Sequence, residues 1–190
     1  MAQVFAHVTM SLDGFMAGPD IGVEQPMGAG GERLHRWIFD QSDDVDAAAV
    51  RRQFALTGSV LLGRRTFDVG IGQWGDTPYP APCFVLTHRP APDRVEKSGT
   101  FTFVHTGLSD AVRVARAAAG DRAVTVMGAD VVQQALRAGL LDEIHLQIAP
   151  VLLGAGRRLF EHLGPDHIEL ERLDVRESAQ VTHMRFRVLK

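Results

Sequence analysis

Apolar positions along this chain recur with two different spacings, and the spacing changes many times between the two ends. Residues 3–10 read as a first strand, and residues 11–31 follow as a long stretch rich in Gly and Pro. A connection of that length inside a compact domain is usually functional or mobile. Ser42 is placed to cap a helix that begins at Asp43 and Asp44 and carries Val45, Ala48 and Ala49 on to Leu56. Acids in its first turn favour that helix, and Gly58 is its natural stop. Val60, Leu61 and Leu62 then form a short buried strand that runs straight into Gly63-Arg64-Arg65-Thr66-Phe67.

Residues 76–82 hold three prolines and read as a loop, followed by strands at 83–87 and 101–104. The Ala-rich run 109–119 is helical and ends at Gly120, 124–127 is a strand, 130–138 a helix and 143–149 a strand. The tail differs: residues 168–176 and 181–189 read as a hairpin around 177–180. In its second arm Thr182, Met184, Phe186 and Val188 alternate with Val181, His183, Arg185 and Arg187, the period of a half-buried antiparallel strand. Strand and helix thus alternate and an antiparallel ribbon closes the chain, which predicts an α/β fold. Without an internal repeat, a low-complexity block or a linker, residues 1–190 are expected to form one domain.

Composition narrows the classes. With 45% hydrophobic and 23% charged residues in 190, the chain can bury a core without staples. A net charge of −3 implies no polyanion-binding surface, although local basic clusters can still hold a small anion. The single cysteine, Cys83, excludes an intramolecular disulfide and points to a reducing compartment. The start MAQVFAHVTM does not read as a signal peptide, and no apolar run approaches the ~20 residues that span a membrane. A cytoplasmic protein without membrane or nucleic-acid partners is expected.

Three junctions at strand ends carry the chemistry. In Gly63-Arg64-Arg65-Thr66 a glycine lets the backbone approach a ligand, two guanidiniums supply positive forks and Thr66 adds a hydroxyl at a helix start; a tight turn with two solvated arginines reads equally well. Leu86-Thr87-His88-Arg89 again sets a hydroxyl and a cation beyond a strand's carboxyl end, where open α/β sheets bind ligands. At Met127-Gly128-Ala129-Asp130-Val131 a strand feeds a helix whose first N–H groups can hold a pyrophosphate, while Asp130 suits capping and its charge opposes phosphate. Together the three resemble one dinucleotide cradle.

Other matches fail on context. Gly70-Ile71-Gly72-Gln73-Trp74-Gly75 fits G-x-G-x-x-G by letter, but it follows no strand directly, and Pro78, Pro80 and Pro82 stand where its helix should run. There is no Walker lysine motif and no G-x-S-x-G elbow. His162 and His167 flank Gly164-Pro165 and suit no helical metal face, so no metal is expected. Nucleic-acid binding lacks a basic stripe and interleaved aromatics.

The chain resembles the dihydrofolate-reductase-like superfamily, in the branch named for the C-terminal domain of the bifunctional riboflavin deaminase–reductase. The resemblance rests on Met10-Ser11-Leu12-Asp13-Gly14-Phe15-Met16-Ala17, Leu61-Leu62-Gly63-Arg64-Arg65-Thr66-Phe67, Phe84-Val85-Leu86-Thr87, Val126-Met127-Gly128 and Leu141-Asp142-Glu143-Ile144-His145-Leu146. Its most specific piece is Ala149-Pro150-Val151-Leu152-Leu153-Gly154-Ala155-Gly156 with Leu159-Phe160. It implies a three-layer α/β/α fold around a mixed, mostly parallel sheet with a C-terminal antiparallel hairpin. It also implies NADPH-dependent hydride transfer of the kind carried out by dihydrofolate reductase or 5-amino-6-(5-phosphoribosylamino)uracil reductase.

Carried over residue by residue, Gly63, Arg64, Arg65, Thr66, Leu86, Thr87, His88 and Arg89 become candidates for the adenosine phosphates. Met127, Gly128, Ala129, Asp130 and Val131 become candidates for the pyrophosphate. The loop 15–31, with Ala17, is expected over the nicotinamide. The positive charge suits a 2′-phosphate, hence NADP rather than NAD. Two departures stand out. The family usually shows two successive glycines where this chain has Gly128-Ala129, so a Cβ is expected to crowd the pyrophosphate or disfavour the geometry of that turn. The chain is also expected to stand alone, without the deaminase domain, so a role in riboflavin synthesis does not follow.

For the reaction, Asp13 is the first candidate to face the substrate, as a carboxylate that can hydrogen-bond an amino-heterocycle and assist protonation; the plain alternative is a turn residue before Gly14. Asp40 is a secondary acid candidate, with capping or exposure as its alternative. Trp37, Phe39, Phe67 and Trp74 can wall a flat ring, although an individual aromatic is more often core. The expected substrate is a small pterin, folate-like or pyrimidine-riboside compound. The rival reading is a nucleotide- or folate-binding protein with little catalysis, favoured by Gly128-Ala129. The hairpin edges and the family resemblance imply a homodimer.

Overall fold

The computed structural model describes residues 2–40 and 43–190. Along them run β1 (Val4–Ser11), β2 (Phe15–Ala17), a 3-10 helix (Gly31–His35), α1 (Arg36–Asp40), α2 (Asp44–Leu56), β3 (Thr57–Gly63) and α3 (Arg64–Trp74). Next come β4 (Cys83–Leu86), β5 (Arg94–Val95), β6 (Thr100–Val104), α4 (Leu108–Ala119), β7 (Ala123–Met127), α5 (Ala129–Arg137) and β8 (Glu143–Ala149). The chain closes with β9 (Arg157–Arg158), β10 (Leu170–Glu177) and β11 (Thr182–Val188). No helix among the described residues is long and apolar enough to cross a membrane.

The expected α2 is present, with two changes at its ends. Ser42 lies outside the described residues, and the N-cap is Asp43, whose carboxylate accepts the Val45 N–H at 2.7 Å. Gly58 does not stop this helix; it lies inside β3. A Cβ there would meet the Ala119 carbonyl oxygen at 2.5 Å. The glycine therefore serves a close approach of β3 to the end of α4. The short β2, β5 and β9 have no counterpart in the sequence pattern, because two or three residues carry no periodicity.

Nine strands form one sheet in the order β10-β11-β8-β1-β7-β3-β4-β6-β5, and β2 pairs separately with β9. The run from β8 to β6 is parallel. The outer pairs β8–β11, β10–β11 and β5–β6 are antiparallel. The expected mixed, mostly parallel sheet with an antiparallel ribbon is thus present. Parallel strands buried on both faces favour apolar residues, as at Val60–Leu62, while the buried Thr57 and Ser59 ahead of them satisfy their hydroxyls on the Gln53 and Ala115 carbonyls.

The two faces of the sheet are chemically different. On one, Val4, Ala6, Val8, Val124, Val126, Leu146 and Val188 pack with Ala111, Ala115, Val132 and Leu136 of α4 and α5. On the other, α3 sets Phe67 against Val60, Leu62, Val85 and Phe101. Further along that face lies α2, whose fully buried residues are Asp46 and Gln53. Gln53 donates to Thr125 Oγ1 at 3.3 Å, and Thr57 and Thr125 share a 2.7 Å hydrogen bond. The alternation along β11 is accordingly not core against solvent: His183 is buried under α2, bonded to Asp46 at 2.7 Å.

Candidate functional site

Parallel pairing aligns the carboxyl ends of β1, β7, β3 and β4, which are consecutive neighbours in the sheet. Leu62 lies opposite Met127 and Gly63 opposite Leu86, so the three sequence junctions, far apart in the chain, end side by side. Outside these ends opens a cleft of about 1850 Å³. Gly63, Arg64, Arg65 and Thr66 border it from the first junction, and Leu86, Thr87, His88 and Arg89 from the second. Met127, Gly128, Ala129, Asp130 and Val131 border it from the third. Ala17 lies on its rim with Met16, Ile21, Pro26 and Met27, so the loop after β1 flanks the same space.

The local chemistry of this wall suits phosphate. Gly63 and Gly128 precede α3 and α5 without any side-chain cap, which leaves first-turn N–H groups open toward the cleft. Gly107 before α4 is likewise uncapped and on the lining, a further junction, after β6, that was not among the sequence candidates. Gly128 has φ +92°, and a Cβ there would meet Thr66 Oγ1 at 2.4 Å. The strained position of the turn is thus the one that carries glycine. Ala129 is the first residue of α5, buried, in a helical backbone that alanine favours.

Four arginines and the acids beside them set the charge. All three of Arg64, Arg65 and Arg89 are exposed; Arg64 pairs with Asp68 at 2.8 Å and lies 5.5 Å from the Phe103 ring centroid, whereas Arg65 and Arg89 form no ion pair among the described residues. Thr87 is buried; its Oγ1 accepts the Arg89 N–H at 3.1 Å and so shapes the turn after β4. Asp130, which would oppose an anion at the start of α5, forms an ion pair with Arg157 of β9. Arg157 also reaches Glu161 at 3.3 Å and borders the cleft. The residues present therefore fit a dinucleotide's phosphates: uncapped N–H groups, guanidiniums without an ion pair among the described residues and an acid held by Arg157 surround one space.

Beyond the cradle the structure departs from the expected residues. Asp13 does not border the cleft. Its carboxylate accepts Ser11 Oγ–H at 2.5 Å and the N–H groups of Leu153 and Gly154 at 3.1 and 2.7 Å. The Ser11 hydroxyl first, and then those backbone bonds, hold its carboxyl below the usual range against an opposing push from burial. Asp13 latches the segment after β8 onto the turn after β1. Trp37 is core, donating its indole N–H to Thr9 Oγ1 at 3.0 Å. Phe67 is core between Phe101 and Phe103, at centroid distances of 5.0 and 5.1 Å. Trp74 does border the cleft, as do the exposed Phe39 and Asp40.

The sequence reading missed several polar residues of the cleft lining: His7 and Thr9 of β1, Glu32 and His35 of the 3-10 helix, and Arg36, Gln73 and Gln134. A signal existed for the first pair, since His7, Thr9 and Ser11 make alternate positions of a central strand polar. None existed for Glu32 or His35, which sit in a turn with no periodicity. Burial, then the nearby His145, His183 and His35, pushes His7 down to about 3. Burial also lowers His35, partly opposed by a hydrogen bond with the Gly31 backbone. Both rings are therefore neutral near pH 7 and offer hydrogen bonds rather than charge. Cys83, pushed up to about 12 by burial, is an inert core thiol.

Among known proteins, the family model of the RibD C-terminal domain matches residues 2–184. No curated protein sequence matches significantly. A putative riboflavin biosynthesis protein from Shewanella sp. PV-4 superposes with a TM-score of 0.73 at 23% identity, each chain covered in full. A pyrimidine reductase-like protein from Corynebacterium diphtheriae gives 0.64 at 14% identity, covering 100% of this chain and 92% of that one. A diaminohydroxyphosphoribosylaminopyrimidine deaminase/5-amino-6-(5-phosphoribosylamino)uracil reductase from Thermotoga maritima gives 0.66 at 13% identity. This chain spans 57% of the Thermotoga protein's length. At these identities the structural likenesses establish the fold.

Proposed function

Because this chain belongs to the RibD C-terminal domain family, we propose that it is an NADPH-dependent reductase that transfers a hydride to a small heterocycle of pterin, folate-like or pyrimidine-riboside type. The observation that carries this reading is the convergence of three phosphate-competent strand ends, β7, β3 and β4, on one cleft. NADPH, when bound, supplies the hydride, and the protein must align the two partners and manage one proton. Uncapped N–H groups at the starts of α3 and α5 would hold the pyrophosphate, with Arg65 and Arg89 free for a 2′-phosphate.

The substrate end is the part of the cleft bounded by β1 and the 3-10 helix. There His7 and His35 offer neutral hydrogen-bonding edges, and Trp74 and Phe39 offer flat apolar surface. Glu32 takes the role that the sequence assigned to Asp13, as the carboxylate facing an amino-heterocycle. We place the protein in the cytoplasm as a homodimer. In support of the dimer, the edge strand β10 exposes Leu170 and Val175. Light scattering at micromolar concentration should give twice the chain mass, and a clean monomer would remove this part of the reading.

The test is a fluorescence titration with NADPH, then NADPH oxidation assayed against dihydrofolate and a ribosylamino-pyrimidine. Saturable binding with turnover of either is expected. Binding without turnover across a broad panel would leave a nucleotide- or folate-binding protein on the same fold, and absence of NADPH binding would defeat both readings.

A further inference from the structure

Arginines and carboxylates border the cleft in equal number, yet they are sorted rather than mixed. On the cradle side both acids are engaged: Asp68 pairs with Arg64 at 2.8 Å and Asp130 pairs with Arg157. Arg65 and Arg89 border the cleft there without an ion pair among the described residues, which leaves that wall a positive excess. The end bounded by β1 and the 3-10 helix has the reverse balance. Glu24 borders the cleft from the loop that leads into that helix, Glu32 from the helix itself and Asp40 from α1. Between residues 18 and 40, Arg36 is the one arginine on the lining.

These four residues are exposed, and none of them forms an ion pair among the described residues. Asp40 accepts Gln180 Nε2 at 2.9 Å, a neutral donor that leaves its charge in place. The nearby rings add no compensating cation. His7 stands on β1 beside His145, and burial with the neighbouring histidines keeps it neutral, as burial keeps His35. Three carboxylates therefore face one guanidinium. Unpaired acids at the mouth of a low-dielectric cleft focus a negative potential into it, which repels anions and draws cations.

Resting on the reductase reading, we infer that the substrate enters this cleft without a phosphate or carboxylate of its own, as a neutral heterocycle or one with an amino-bearing tail that Glu24, Glu32 and Asp40 attract. A phosphate monoester carries about −1.5 to −2 charge at pH 7. The cofactor's phosphates occupy Arg65 and Arg89, so a substrate phosphate would find Arg36 alone among three acids. The substrate class thereby narrows to unphosphorylated pterins and ribosides, and tails that end in an anion are disfavoured. Glu24 and Asp40 set this preference through their charge, without touching the reacting atoms.

Calorimetric titration of the NADP⁺-saturated protein tests this with ligands that share a ring and differ in the tail. One series is a hydroxymethyl dihydropterin, its aminomethyl analogue and its phosphate ester; the other is a ribosylamino-pyrimidine and its phosphate ester. Within the series that binds, the ester should be roughly tenfold weaker than the alcohol at low ionic strength, and high salt should shrink that gap. Glu24→Lys, at an exposed loop position, should tighten the ester about threefold and leave the alcohol nearly unchanged. The inference is overturned if the ester binds as tightly as the alcohol. It is also overturned if neither salt nor Glu24→Lys alters the gap, since crowding rather than charge would then exclude the ester. Preference for the ester would remove the inference and leave the reductase reading standing. If neither series binds the NADP⁺ complex, the heterocycle reading falls and the inference falls with it.

Discussion

Gly128 and Asp13 show how far a single position can be read. At Gly128 two constraints coincide, a backbone at φ +92° and the Thr66 hydroxyl where a Cβ would stand. The left-handed region costs a residue with a Cβ roughly 1–2 kcal/mol before the contact is counted. Gly128→Ala should therefore weaken NADPH binding about tenfold or more by fluorescence titration, whereas Ala129→Gly should leave it nearly unchanged. Asp13 instead holds backbone. Asp13→Asn should melt at a lower temperature, with the difference from the parent fading as pH falls through the carboxylate range, because its lowered pKa contributes stability only above that range. Its kcat should change little, while Glu32→Gln should lose roughly a hundredfold or more in kcat with NADPH affinity preserved.

At the scale of elements, the cradle depends on a strand that no periodicity announces. β9 has two residues, yet it brings Arg157 to Asp130 at the open start of α5. An unpaired carboxylate there would oppose the pyrophosphate just where the helix favours an anion. Arg157→Ala should weaken NADPH by roughly two- to fivefold, and the Asp130→Ala, Arg157→Ala double variant should recover most of the loss. Long elements were legible beforehand because each repeats its period often enough, as in β8 at Glu143–Ala149. The pieces that escaped, β2, β5, β9 and the turn carrying Glu32 and His35, are too short to show one and are held by their neighbours.

Across the whole molecule, the polar layer under α2 couples folding to pH. His7 is held near 3 against an ordinary value of 6.5, and burial lowers His35 and His145 in the same direction. Between the folded and ordinary values the unfolded chain binds more protons, so this stability is complete above about pH 6.5 and is lost as pH falls below it. Asp13, Asp76, Asp142 and Glu143 are also lowered, but their losses begin nearer their ordinary values of 3.8 and 4.5. The urea midpoint should therefore drop between about pH 6.5 and about pH 5, before the carboxylates respond, and His7→Asn should shrink that drop.

The sequence alone determined the alternation of strands and helices, the C-terminal ribbon and the junctions at Gly63, Leu86 and Met127, because these are local patterns of period and residue type. Tertiary structure decided which of them meet. Parallel pairing in the order β1-β7-β3-β4 placed three distant junctions on one edge, and the same packing withdrew Asp13, Trp37 and Phe67 from the cleft. A carboxylate's role depends on which donors reach it, and an aromatic's on which face of the sheet covers it. Both are set by residues distant in the chain, as Leu153 and Gly154 are from Asp13, Thr9 from Trp37 and Phe101 from Phe67.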